Sequence, residues 1–181
     1  EGAESLRGPS LLFYKAAWDS RVRPGAHKEA GRGSPANRSH MSARQPGYEF
    51  FDHTADIGIR ARGSTLSELF IRLAQGFTDL LVEEAVLHPT QERTIDLSAG
   101  DAESLLLAWL NELLFWFSSD GFLPSTFDIQ TSETHLRGRL TGDVFDPARH
   151  AGGTEVKGIT RHQLRVEQCQ GGWEGQVIVD V

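Results

Sequence analysis

Apolar residues recur at spacings of three and four from Leu66 onward: Leu66, Leu69, Phe70, Leu73, Phe77, Leu80 and Leu81. That period predicts an amphipathic helix of about four turns. Thr65 ahead of it and Glu68 three residues later form a capping-box pair. A second run is apolar on nearly all sides: Leu105, Leu106, Leu107, Trp109, Leu110, Leu113, Leu114, Phe115, Trp116 and Phe117. Asp101 is its expected N-cap and Gly121 its C-terminal stop, so the helix runs to about Ser119. A helix with so little polar face must be covered by a sheet and by a neighbouring helix.

The rest of the pattern has period two. Tyr48 to Phe51 is an apolar entry segment, and Ile57 to Gly63 alternates as a half-buried strand does. Glu92 to Leu97 alternates again, after a loop marked by Pro89. Phe127–Gln130 and Leu136–Leu140 read as a hairpin. Asp146-Pro147 and Gly152-Gly153 punctuate a loop. Ile159–Val166 and Trp173–Val181 read as strands joined by a Gly171-Gly172 turn. On the last strand Trp173, Val177, Val179 and Val181 share one face and Ile178 lies on the other. The order β-α-β-α-β-β-β-β predicts an α+β two-layer domain, two helices packed on one mixed β-sheet.

Charge divides the 181-residue chain in two. Residues 1–47 hold eight Lys or Arg, four Asp or Glu and four of the seven prolines; residues 48–181 hold 10 basic and 21 acidic residues, a net of −11. The first segment has sparse apolar residues without period and is expected to be a disordered N-terminal extension. Met41 is the only methionine and stands seven residues before the folded pattern. It is therefore a candidate biological start, which an intact mass including residues 1–40 would exclude. A targeting presequence fits poorly, because four acids and five glycines precede Met41. The acidic domain of 48–181 excludes a strongly basic nucleic-acid binder. The run Leu105–Phe117 contains Asn111 and Glu112 and falls short of the roughly 20 apolar residues a membrane span needs. A single cysteine, Cys169, excludes an intrachain disulfide and a thiolate-rich zinc site, and points to a reducing compartment, the cytoplasm.

No phosphate-binding glycine loop and no nucleophile elbow occurs, and nothing argues for activation of Cys169. The densest polar cluster is Asp52-His53-Thr54-Ala55-Asp56-Ile57-Gly58. His53 and Asp56 are either metal ligands or a turn aspartate beside a partly buried histidine. Asp180 and Val181 close an apolar strand, and an aspartate beside the terminal α-carboxylate groups hard oxygen donors suited to Ca²⁺ or Mg²⁺. The alternative is a charged strand end kept in solvent. Asp146 to His150 and Thr154 to Lys157 form a third group, read as a polar loop with turn chemistry.

His53-Thr54-Ala55-Asp56-Ile57-Gly58, Trp109-Leu110-Asn111-Glu112-Leu113-Leu114-Phe115, Phe145-Asp146-Pro147, Thr154-Glu155-Val156-Lys157 and the ending Val179-Asp180-Val181 occur in that order. Together they resemble the archease family over residues 48–181. The resemblance implies a non-enzymatic activator of the RtcB-type RNA ligase that joins RNA ends in tRNA splicing and repair. Such an activator promotes guanylylation of the ligase, restores multiple turnover and broadens the nucleotide used. The resemblance also implies a bound divalent metal, Ca²⁺ with Mg²⁺ or Mn²⁺ as alternatives, on Asp56, Asp180 and Val181. His53, Lys157 and His162 are then expected at the partner interface. The family usually places a small apolar residue after the TEVK lysine and an aromatic before the histidine; here Gly158 and Arg161 stand there, and His162 is kept.

The acidic domain should be repelled by bare RNA and attracted to a ligase with a positive RNA-binding cleft, so direct nucleic-acid binding is not expected. A metal-dependent hydrolase using His53 and Asp56 would need a further ligand pair that the sequence lacks. A general chaperone or modulator of RNA-modifying enzymes is the alternative, distinguished by indifference to Asp56.

Overall fold

The computed structural model describes residues 47–53, 55–83 and 85–181. The expectations for 1–46, disorder and a start at Met41, lie outside the described residues. The elements are β1 (Tyr48–His53), β2 (Asp56–Gly63), α1 (Leu66–Leu81), β3 (Val82–Glu83), β4 (Gln91–Ser98), α2 (Ala102–Asp120), β5 (Phe122–Thr131), β6 (His135–Val144), β7 (Ala151–Gly152), β8 (Gly158–Cys169) and β9 (Gly172–Asp180).

Both helices start where their side chains can satisfy orphan N–H groups. Thr65 Oγ1 accepts from Glu68 N at 3.1 Å, but Glu68 Oε2 accepts from Ser64 N at 2.7 Å, so the capping box closes one residue earlier than expected. Asp101 Oδ1 accepts from Ser104 N at 2.7 Å, and that bond holds its carboxyl below the usual range. Gly121 ends α2 with φ 75°, a left-handed conformation that costs glycine little.

The α+β class with two helices holds, but the strands do not form one mixed sheet. They divide into a four-stranded sheet in the order β1-β2-β9-β8, a three-stranded sheet in the order β4-β6-β5, and the pair β3-β7, with every pairing antiparallel. The short connections β1–β2, β5–β6 and β8–β9 permit only antiparallel neighbours. Helix α1 carries the chain from one large sheet toward the other. Helix α2 links β4 to β5, which flank β6 without touching each other.

Each helix packs on both large sheets: α1 on β1, β2, β9 and β5, and α2 on β8, β4, β5, β6 and α1. This is why α2 lacks a continuous polar face. The α1 stripe is buried along its length, as are Leu105, Leu106, Trp109, Leu110, Leu113 and Trp116 of α2. Each such large side chain contributes about 1.5–3 kcal/mol on leaving water. Trp109 Nε1 donates to Phe70 O at 3.2 Å, joining the helices inside the core. Phe115 departs from the pattern and is 61% exposed. Among the described residues no helix is long and apolar enough to cross a membrane.

Strand β1 is held to α1 by close approach. A Cβ on Gly76 would lie 2.7 Å from Tyr48 Cδ2 and 2.9 Å from Ile59 Cγ2. The Tyr48 hydroxyl hydrogen-bonds Asp79, and burial together with that carboxylate raises the phenol's pKa. Gly76→Ala gains up to about 1 kcal/mol of helix propensity but forces the tyrosine ring away, an overpacking cost of about 1–3 kcal/mol. The expected result is a lower urea midpoint at unchanged slope; a midpoint at or above that of the parent chain would refute the packing argument.

Candidate functional site

Alternation fixes which side chains share a face. Ile59 and Ala61 of β2 and Val177 and Val179 of β9 point into the core. The intervening residues of both strands therefore lie on the outer face of the four-stranded sheet. Register His53↔Asp56 joins β1 to β2, and Gly158↔Asp180 joins β8 to β9. Asp56 and Asp180 continue the Ile57↔Val179 register by one step. His53, Asp56, Asp180 and Gly158 thus form one row across the end of the sheet. Cross-strand neighbours of this kind have Cβ atoms about 4.5–5.5 Å apart, and like charges placed so are destabilising. Two adjacent aspartates on one face gain from positive charge nearby.

Part of that positive charge is built in. Lys157 N donates to Asp180 O at 2.9 Å, and Lys157 Nζ donates to Val181 O at 2.7 Å. The Val181 side chain packs against the core, which anchors the segment Lys157 grips. Among the described residues no three His, Cys, Asp or Glu side chains converge closely enough to hold an ion by themselves. Asp56 and Asp180 would need the main-chain oxygen of Val181 as a third donor. An all-oxygen set of that kind fits a hard divalent cation such as Ca²⁺ or Mg²⁺.

The neighbouring row is Phe51, Gly58, Ile178 and Thr160. A Cβ on Gly58 would lie 2.1 Å from the Phe51 ring, so the ring crosses the sheet through the space glycine leaves. Arg60 stacks its guanidinium 4.9 Å from the centre of that ring and donates to Gln176 Oε1 at 3.3 Å. Ile178 lies on the outer face yet is 0% exposed. The sequence placed it on that face without giving it a cover.

A bulge in β8 completes the cover. Thr160 pairs with Ile178 and Arg165 with Gln176, so five steps along β8 match two along β9. Gln163 in this bulge has φ 52°, a region sparsely used by non-glycine residues. Its carbonyl accepts from Gln176 Nε2 at 3.0 Å, and its side-chain amide lies 3.2 Å from His53 Nε2. The bulge sets the rings of His162 and His53 5.1 Å apart, centre to centre. The structure therefore brings His53, Asp56, Lys157, His162, Asp180 and Val181 to one end of one sheet. Phe51, Gln163 and the bulge itself carried no signal in the sequence.

The Asp146–His150 part of the third group lies apart from this end and is structural. Asp143 is 2% exposed and accepts from Arg149 Nη1 at 2.9 Å, Arg149 Nη2 at 3.1 Å, His88 N at 3.0 Å and Val144 N at 2.8 Å. The guanidinium bonds are the main reason its carboxyl is held well below the usual range. Asp146 accepts from Ala148 N at 2.9 Å and Arg149 Nε at 3.2 Å, the turn chemistry expected of it. His150 Nδ1 accepts from Asp146 N at 3.0 Å, so the neutral ring carries its proton on Nε2, 3.5 Å from Asp143 Oδ2. Beyond this knot, Gly153 N and Thr154 N bond to Leu81 O and Leu80 O, and the chain then delivers Lys157 to the sheet end. The sequence picked out Asp146 and His150 but missed Asp143, a lone acid within a strand.

A carboxyl whose pKa falls on folding contributes stability above the usual carboxylate range, and that stability is lost as pH drops through it. Asp143→Asn is expected to cost about 1–3 kcal/mol at neutral pH, because its buried donors keep only a weaker acceptor. The gap between variant and parent urea midpoints should close as pH falls toward the acid limb. A gap independent of pH would remove the ionic part of the argument.

Residues 48–181 match the Archease protein family. A protein archease from Methanosarcina mazei is 33% identical over 146 residues, covering 78% of this chain and all of that protein. The solution structure of protein 1598 from Methanobacterium thermoautotrophicum superposes with a TM-score of 0.67 at 31% identity, covering 76% of this chain and 100% of the other. A crystal structure from Thermotoga maritima, described as an archease and possible chaperone, gives a TM-score of 0.50 at 24% identity over 78% of this chain and 100% of that one.

Proposed function

The chain belongs to the archease family, and from that premise we propose that it activates an RtcB-type RNA ligase without being an enzyme itself. In this reading it promotes guanylylation and multiple turnover of the ligase and broadens the nucleotide used. The observation that supports it is the row His53-Asp56-Asp180 at the sheet end, with Lys157 on Val181 beside it. Two carboxylates, one ammonium and two imidazoles at an exposed edge can engage a nucleotide site from outside. Among the described residues no nucleophile is set beside a base there, so the arrangement suits positioning better than turnover.

Asp56, Asp180 and the Val181 oxygen would hold a divalent cation, Ca²⁺ ahead of Mg²⁺ or Mn²⁺. Such an ion, when bound, supplies positive charge for phosphoryl oxygens. The protein's own groups do the rest. Lys157 fixes the position of Asp180 and Val181 through two hydrogen bonds. His53 and His162 stand at the same end of the sheet, toward a docked partner. The net charge of −11 over residues 48–181 steers the domain to a positive cleft and away from bare RNA. A general chaperone is the second reading. The Thermotoga maritima structure described as a possible chaperone lends this chain its fold alone.

The test is guanylylation of a cognate ligase with labelled GTP, alone, with the full chain, and with the full chain carrying Asp56→Ala. Stimulation by the parent chain and at least a ten-fold loss with a folded Asp56→Ala variant are expected. Equal stimulation by both would keep the partner and remove the carboxylate row from the mechanism. No stimulation of a competent ligase would transfer the function to the chaperone reading, which aggregation assays on unrelated clients would then address.

A further inference from the structure

The two histidines sit on strands that are not neighbours. His53 belongs to β1 and His162 to β8, the opposite edges of the sheet order β1-β2-β9-β8. In a flat sheet two strands would separate them by three strand spacings, about 14 Å at 4.7–4.9 Å each. Their ring centres are 5.1 Å apart, with the planes at 59°. The β8 bulge and the left-handed Gln163 produce this approach, and backbone held in such a region tends to serve a site.

The polar atoms of His53 are asymmetric. Nε2 lies 3.2 Å from the Gln163 side-chain amide. Nδ1 is buried and has no hydrogen-bond partner. As placed, Gln163 Nε2 donates to His53 Nε2, which leaves the ring proton on Nδ1; turning the amide over sets its oxygen there, so that Nε2–H donates and Nδ1 presents a lone pair. A metal-ligating histidine is built this way, one nitrogen held by an outer hydrogen bond and the other free to coordinate. The ring spacing agrees. With a metal–nitrogen bond of about 2.0–2.1 Å, two imidazoles on one tetrahedral ion have ring centres roughly 5 Å apart.

We propose that His53 and His162 form a second cation site, selective for borderline metals of the Zn²⁺, Co²⁺ and Ni²⁺ class and distinct from the oxygen row of Asp56, Asp180 and Val181. Imidazole suits these ions, whereas carboxylate and carbonyl oxygen suits Ca²⁺ and Mg²⁺. Bound there, the ion ties the β8 bulge to β1 and clasps the two edges of the sheet over Ile178. Two ligands leave two tetrahedral positions for water or for a group of a docked partner. The inference does not depend on the identity of that partner.

The experiment titrates the full chain with Co²⁺, following the visible d–d absorption, and then displaces it with Zn²⁺ in a calorimeter. His162→Ala is the main variant, because its exposed side chain can be removed without opening the core. Asp180→Asn is the control for the oxygen row. The expected result is one Zn²⁺ affinity weakened at least ten-fold by His162→Ala, changed less than two-fold by Asp180→Asn and unaffected by excess Ca²⁺. Equal Zn²⁺ affinity in His162→Ala and the parent chain would overturn the site. So would a loss in Asp180→Asn as large as in His162→Ala, which would assign the ion to the carboxylates.

Discussion

Strand β9 is buried on both faces, and the rest of the molecule depends on how that is achieved. Val177, Ile178 and Val179 are each 0% exposed, although successive side chains point to opposite sides. The inner side is covered by helix α1. Among the described residues no second layer of regular structure covers the outer side. It is closed by Phe51, which crosses Gly58, and by the β8 bulge, which hangs from Gln176. A strand so enclosed cannot fray, whereas chain ends left exposed usually do. Asp180 and Val181 therefore occupy fixed positions, and a site can be built on them.

Electrostatics works in the opposite direction at the same place. Asp56 and Asp180 stand side by side within a domain that already carries eleven excess negative charges. Lys157 brings its ammonium beside them by donating to Val181 O, but exposed charges so placed attract one another by only about 0–1 kcal/mol. The residual repulsion is tolerated because burial of Val177, Ile178 and Val179, with Val181 packed against the core, holds the strand end in place. The Asp143 knot shows a different solution. There a buried carboxylate has four donors of its own, and full satisfaction turns a costly group into a clamp for the loop that leads to Lys157.

The sequence revealed the helices because their signals are local. A period of three and four, a Thr or Asp at each start and a glycine at φ 75° lie within a few residues of one another. Alternation revealed the strands and their inward faces, including the isolation of Ile178. It could not reveal which strand pairs with which, since period two specifies a face and leaves the neighbour open. The split into separate antiparallel sheets was therefore not readable, nor was the meeting of β1 with β8. Six site residues were legible in three stretches far apart in sequence: His53 and Asp56, Asp180 and Val181, and, through the family resemblance alone, Lys157 and His162. Asp143 was not, because its partners His88 and Arg149 approach from both sides of a strand that reads as ordinary.

The segment from Phe51 to Ile59 shows how closely structure and site share residues. Ile57 and Ile59 point inward and fasten β2 to the core. Phe51, His53, Asp56 and Gly58 point outward, where they supply a cover, an imidazole, a carboxylate and the gap that the cover needs. No residue in this set can change face without a register slip, and a slip of one would send every inward isoleucine to solvent. The same hydrophobic burial that fixes the strand therefore fixes the donors. That coupling explains how an exposed edge can hold a defined arrangement of charged groups.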